Sequence, residues 1–335
     1  MNKFRNFIVI VVVILSTPFA LYSQSIEFTF DNDFVVGSDE AYTGGMSLVY
    51  IGDELADIDD GIYKNYTKMM KSLFSTLTFR EFNTKKINAS VAISQIHITP
   101  RSIEKLEPIY NQSPYAGIAN LDFSLFTREA DVLEHYKISV GIIGKNAGTK
   151  TIQENIHRVI GSENPNGWHN QLGEKTTFGF AYLRGVRAHK SYFDSGNSLE
   201  LFYSIYGEAG NAYIGGGAGV VMRYGKNVPK NYELMSGIYN PTQFNMLGTL
   251  EKTKGWGYSL DVGVSLNGIG DYYIYREGKK QGYDFYSPKT LLITKMGASL
   301  YMDNFTFSMT LFPIFAKENI TKNTSWGRLD FGWNF

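Results

Sequence analysis

Five histidines are the side chains in this chain that exchange protons near neutral pH: His97, His135, His157, His169 and His189. There is no cysteine, so a thiol nucleophile, a thiolate metal site and a disulfide scaffold are all excluded. A histidine acting as a general base needs a polar group to orient it and a stabiliser for the electrophile nearby. The polar groups on offer are Asn32-Asp33, Thr43, Lys105 and Glu163, the last in the same long segment as His157. By residue type alone each has a plainer reading. A loop histidine is most often solvated or hydrogen-bonded, Asp33 opens an Asx turn, Thr43 is an ordinary strand residue and Lys105 a solvated charge. Company decides between these readings, and company depends on the elements that carry the residues.

The chain has 335 residues, with 32 basic and 32 acidic side chains. Zero net charge argues against a nucleic-acid binder, which carries a basic excess. A mean hydropathy of −0.19 excludes a helical membrane bundle. The one long apolar run, Phe7 to Phe19, follows Lys3 and Arg5 and precedes Ala20 and Ser23. That is the order of a secretory signal peptide, with an uncleaved anchor as the alternative. The expected organisation is a signal over residues 1–23 and one exported domain over 24–335.

Beyond the signal, apolar residues recur with period two, the mark of strands with one apolar face. Ile26, Phe28 and Phe30 alternate with Glu27, Thr29 and Asp31. Trp256, Tyr258, Leu260, Val262, Val264 and Leu266 alternate with a small, polar second face. That run is long enough to cross a bilayer as a tilted strand. The last strand alternates Leu329, Phe331, Trp333 and Phe335, and ends on an aromatic as outer-membrane barrel assembly signals do. A soluble β-sandwich also alternates, but closure leaves no edge unpaired in lipid and the aromatic ends suit membrane girdles. The expectation is an all-β fold, a twelve-stranded antiparallel transmembrane β-barrel. Its strands fall near 25–31, 43–51, 87–98, 118–126, 134–143, 177–187, 198–206, 212–223, 256–275, 289–302, 304–315 and 326–335.

With both termini periplasmic, the connections after odd strands lie on the cell-surface side. Asn32-Asp33, Thr43, Lys105 and the segment 144–176 with His157 and Glu163 then converge on one rim. His97 is expected to face the lumen, while His135 and His189 fall on the periplasmic side. Ile152, Ile156, Val159 and Ile160 predict a short helix over Thr151–Ile160 in that extracellular loop, apolar on one side. Residues 52–86 are an unusually long periplasmic connection, with a helix-like run from Tyr63 to Phe74. Either a helical cap is inserted there or the strand parity slips.

These residues carry a family resemblance. Phe30-Asp31-Asn32-Asp33, Ala41-Tyr42-Thr43-Gly44-Gly45, Ile98-Thr99-Pro100 with Lys105, and Ser113-Pro114-Tyr115-Ala116-Gly117 come first. Gly141 through Gln153 and His157 to Gly167-Trp168-His169-Asn170-Gln171, then Gly207-Glu208-Ala209-Gly210-Asn211, complete the series. In this order and spacing the chain resembles the outer-membrane lipid A 3-O-deacylases. Lys145 stands where that family usually has proline. The resemblance implies a calcium-dependent ester hydrolase that removes the 3′ acyl or acyloxyacyl chain of lipid A at the outer leaflet. By motif position, the catalytic base matches His157 and the Asn-Asp pair matches Asn32 and Asp33. The motif threonine, the basic loop residue and the acidic residue match Thr43, Lys105 and Glu163. The mechanism that these residues support has His157 activating water and Asp33, helped by Asn32, holding Ca²⁺. Thr43 hydrogen-bonds the site, Lys105 meets a lipid A phosphate, and Glu163 orients His157 or completes the metal shell. The expected partners are lipopolysaccharide, the outer-membrane bilayer and, during biogenesis, the barrel assembly machinery.

Two other functions fit a barrel. One is a non-enzymatic pore or structural protein, which small polar lumen residues such as Ser259, Gly263 and Ser265 would suit. The other is a Ser-His phospholipase, but its His-x-Ser-Asn-Gly motif is absent around all five histidines.

Overall fold

The computed structural model describes residues 23–32, 41–56, 61–83, 86–235, 253–316 and 324–335. The expected signal segment 1–22 and Asp33 therefore lie outside the described residues. The twelve expected strands are all present. They are β1 (Ser23–Asn32), β2 (Ala41–Gly52), β3 (Lys86–Thr99), β4 (Ala116–Glu129), β5 (Val132–Ile143) and β6 (Lys175–Tyr192). The rest are β7 (Asn197–Gly210), β8 (Tyr213–Lys226), β9 (Trp256–Tyr272), β10 (Thr290–Met302), β11 (Phe305–Ala316) and β12 (Thr324–Asn334). Each pairs antiparallel with its neighbours in sequence, and β1 pairs with β12 to close the barrel. β1 starts and β12 ends at one rim, the periplasmic one in barrels of this class.

Alternation sorts the side chains as the sequence pattern requires. On β9, Trp256, Tyr258, Leu260, Val262, Val264 and Leu266 are exposed on the outside, while Ser259, Asp261, Ser265 and Asn267 are buried inside. The same parity runs round the sheet. Phe331 on β12 pairs with Phe28 on β1, Phe28 with Leu48 on β2, and Leu48 with Ile93 on β3. An apolar outer belt costs nothing in hydrocarbon, and every backbone group within the closed sheet finds a partner.

The lumen is packed rather than open. Arg223 binds Glu200 through Nε and Nη2 at 2.9 and 2.6 Å, with both side chains fully buried. Lys295 pairs with Glu233 and, at 3.2 Å, with Asp261. Arg328 clasps both oxygens of Asp31 at 2.6 and 2.7 Å. Charges buried this deeply persist only when paired. Part of the packing comes from the connection after β8, whose residues Asn231, Glu233 and Met235 turn into the barrel. Asn231 accepts from Arg223, and the Met235 carbonyl accepts from Ser204 at 2.8 Å. Gly219 and Gly263 make the room: a Cβ on either would press against the Met235 side chain. Toward the cell-surface end, Tyr42, Ile96, Ile98, Tyr213, Tyr272 and Phe285 belong to one apolar cluster.

Among the described residues three α-helices decorate the barrel: α1 (Ile62–Thr78), α2 (Thr149–Ile160) and α3 (Tyr273–Lys280). α2 is the helix expected in the extracellular loop. α1 answers the question left by the long 52–86 connection. Strand parity holds across it, and the insertion is helical but lies flat on the outer wall. Tyr63 packs on Tyr50, and Phe74 on Tyr136 and Phe180, all of them side chains on the outward face.

Candidate active site

The loop after β5 begins with a single 3-10 turn, Lys145–Ala147, held between Gly144 and Gly148. Gly148 and Gly161 bracket α2 with φ of 73° and 72°, a left-handed conformation that glycine adopts without a steric penalty. The Gly161 and Ser162 N–H groups close the last turn on the His157 carbonyl. The helix lies on the outside of the barrel at the cell-surface ends of β3 and β4. Gly117 on β4 points outward beneath it, and a Cβ there would collide with the Thr149 side chain. The helix thus sits as close to the wall as the backbone permits.

Hydrogen bonds fasten this loop. Trp168 donates its indole N–H to Gln153 Oε1 at 2.7 Å, and Gln95 on β3 donates to the Ala147 carbonyl. The Leu172 N–H bonds the Tyr115 carbonyl and the Asn166 N–H bonds that of Ile103, both at 2.8 Å, tying the loop to residues 100–115. The Tyr115 hydroxyl donates to the Ile103 carbonyl at 2.9 Å. Burial pushes this phenol up to about 12, so it remains a donor across physiological pH.

Between α2 and the wall lies a cleft of about 620 Å³, open mouth included, lined by Asn32, Thr43, Thr99, Gln153, Ile156 and His157 among others. Three of the expected site residues, Asn32, Thr43 and His157, therefore meet. Asn32 ends β1, paired with Gly44 and Gly327. Thr43 sits at a shift of register between Tyr42 and Gly44, an irregularity that re-aims a strand side chain. Its hydroxyl donates to the His97 carbonyl at 3.1 Å. His157 lies 2.5 Å, through Nδ1, from the backbone carbonyl of Glu163. A carbonyl only accepts, so Nδ1 carries a proton toward it, and in the neutral ring the lone pair is on Nε2.

Glu163 thus meets His157 through its main chain, and its carboxylate side chain is exposed. Lys105 is also exposed, in the neighbouring loop where its carbonyl approaches Gly167, and it does not line the cleft. Among the described residues no three His, Asp or Glu side chains gather as a metal site. His97 differs from expectation. It pairs with the outward-facing Gly117 and lines the exterior cleft, donating from Nε2 to Gln95 Oε1 at 3.2 Å. The lumen assignment failed because β3 reverses its pattern near this end: Gln95 and His97 are polar on the outward face, while Ile96 and Ile98 are apolar on the inward one.

Sequence reasoning gave no role to Thr99. Its hydroxyl is fully buried at the cleft and has no hydrogen-bond partner among the described residues. The Ile98-Thr99-Pro100 motif was its only signal. Gln153 and Trp168, likewise quoted only as motif residues, turn out to hold α2 to its loop.

Barrel, outer apolar belt and wall-mounted cleft together define an integral protein of the bacterial outer membrane. The family model described as outer membrane protein LpxR matches residues 7–335, and the chain belongs to this family, the lipid A 3-O-deacylases. Among solved structures, LpxR from Salmonella typhimurium is similar with a TM-score of 0.72 at 17% identity, over 93% of this chain and 100% of that one. That likeness is one of fold. The β-domain of the Bordetella autotransporter BrkA follows at 0.47 and 5% identity, over 94% of this chain and 100% of that one. Comparison with curated proteins gave no match.

Proposed function

We propose that this protein hydrolyses the ester-linked 3′ acyl or acyloxyacyl chain of lipid A in the outer leaflet, with His157 as general base. The observation that carries the reading is the Nδ1 contact to the Glu163 carbonyl, which leaves Nε2 as the free acceptor in a cleft on the barrel's exterior. His157 Nε2 takes a proton from water as its oxygen attacks the ester carbonyl carbon. The bond from that carbon to the sugar oxygen then breaks, and the imidazolium returns the proton to the leaving oxygen. The products are a free fatty acid and the sugar hydroxyl. Thr43, held by the His97 carbonyl, and Asn32 border the reacting ester, while Lys105 on the exposed loop beside the cleft meets a lipid A phosphate as a point charge.

The donors fit calcium. Asn32, Thr43 and the unpartnered Thr99 hydroxyl offer hard oxygens at the cleft. Asp31 is committed to Arg328 and Tyr42 inside the barrel. Asp33, which follows Asn32 in the sequence and lies outside the described residues, is the anionic ligand that the family motif supplies. Bound there, Ca²⁺ would supply positive charge to the developing oxyanion.

The test is mass spectrometry of lipid A from a Gram-negative host expressing wild type or His157→Ala. Loss of the 3′-linked chains with wild type alone is expected. Loss with both proteins would remove His157 as the base, and unchanged lipid A with a folded wild-type barrel would overturn the deacylase reading.

A further inference from the structure

We propose that α1 is an interfacial anchor seated in the periplasmic leaflet of the outer membrane, with acyl chains against one flank and anionic phospholipid headgroups against the other. This inference is independent of the deacylase reading. The helix runs around the barrel rather than along it. Tyr63 near its start bonds the Ala89 carbonyl and packs on Tyr50, so it lies over β2 and β3. Tyr66 bonds the Ser90 carbonyl at 2.8 Å. Phe74, near its end, reaches Tyr136 on β5 and Phe180 on β6. Its axis is therefore close to the membrane plane, at the height of the first few residues of β3 and β5.

At 100° per residue, Tyr63, Thr67, Met70 and Phe74 form the buried face. Ile62, Met69, Leu73 and Leu77 fall on one flank of that face, and all four are exposed. Lys64, Lys68 and Lys71 fall on the opposite flank. An apolar flank without protein cover calls for lipid only if it points into the bilayer, and the hand of the chain settles that.

On a strand of L-residues running upward, a side chain facing the viewer has its own N–H and C=O pointing to the right. Ile87 on β3 faces outward, and its carbonyl accepts from the Leu55 N–H, on the chain leaving β2, at 2.7 Å. Seen from the lipid with the periplasm below, β2 therefore lies to the right of β3. Phe178 on the descending β6, whose carbonyl accepts from Asn211 beyond β7, gives the same hand. Strands succeed one another from right to left, and α1 points left with them. A right-handed helix pointing left with Tyr63, Met70 and Phe74 against the wall carries Ile62, Met69, Leu73 and Leu77 upward, toward the bilayer core. Lys64, Lys68 and Lys71 then point down toward the periplasm.

The girdle supports the same assignment. Exposed aromatic residues mark the periplasmic rim at Tyr192, Tyr224, Trp256, Tyr258, Trp333 and Phe335, on β6 and β8 and from β9 round to the end of the chain. Over β2 to β5 the corresponding outward aromatics, Tyr50 and Tyr136, are buried under α1. Phe79, just past the helix, is 96% exposed. The helix replaces the girdle in that sector, and its lysines match the anionic phospholipids of an inner-facing leaflet.

The natural absence of cysteine makes the test direct. Single variants Met69→Cys, Leu73→Cys, Leu77→Cys, Lys64→Cys and Lys68→Cys are labelled with a polarity-sensitive fluorophore. The full-length barrel is then reconstituted in phosphatidylcholine vesicles with and without phosphatidylglycerol. Folding is verified for each by heat-modifiable mobility. Labels at 69, 73 and 77 are expected to be blue-shifted and several-fold more quenched by spin-labelled acyl chains than those at 64 and 68. Lys64→Glu with Lys68→Glu is expected to lower phosphatidylglycerol enrichment around the protein by at least twofold. Equal, water-like emission at all five positions would overturn the proposal. So would labels that are water-like in vesicles but protected in native outer membranes, which would assign the flank to a protein partner.

Discussion

At the residue scale, His157 and Glu163 separate a main-chain role from a side-chain one. The acceptor for His157 Nδ1 is the Glu163 carbonyl, which any residue supplies. Glu163→Gln is therefore expected to keep lipid A deacylation within about threefold of wild type, whereas His157→Ala abolishes it; mass spectrometry of lipid A reads both. A large loss from Glu163→Gln would return the carboxylate to the reaction. Metal removal tests the other half of the site. Chelation with EDTA is expected to stop turnover by the purified enzyme, and added Ca²⁺ to restore it more fully than Mg²⁺, which tolerates irregular oxygen cages poorly. The residue types alone did not decide these points. A sequence shows that a carboxylate follows the histidine by six positions, but not which of its oxygens faces the ring.

At the element scale, α2 works by contact with the wall. Gly117→Ala is expected to lift it, because the added Cβ meets Thr149 directly. Deacylation should fall at least tenfold while the folded barrel, judged by heat-modifiable mobility, stays near wild type. The strands were legible because alternation records two different solvents, lipid outside and a packed polar lumen inside. Val264 against Ser265 reads that way without any structure. α2 was legible through its spaced isoleucines, although Val159, counted in its apolar stripe, is 85% exposed. The placement of α1 was not legible. Tyr63, Thr67, Met70 and Phe74 announce a helix with a buried face, but a barrel offers an inner wall, an outer wall and a rim, and periodicity does not distinguish them. His97 was misplaced for a related reason: on β3 the polar residues Gln95 and His97 face outward beneath α2, so polarity there does not mark the lumen.

At the scale of the whole molecule, the lumen carries crossing ion pairs and the turned-in residues Asn231, Glu233 and Met235, an arrangement unlike a conducting pore. The purified barrel is expected to pass no steady ion current in a planar bilayer, and stable unitary conductance would revive the pore reading. The two helices on the exterior, α2 toward the cell surface and α1 toward the periplasm, both rest on the sector from β2 to β6.

The cleft opens on the barrel's outer flank, not into its lumen. A lipid substrate of the proposed reaction would reach it within the plane of the membrane, without leaving its neighbours. The quantity that sets occupancy is then a mole fraction per unit area, not a molarity. Packing inert lipid around the protein would slow encounters as dilution does in solution, so the density of the leaflet itself becomes the substrate concentration.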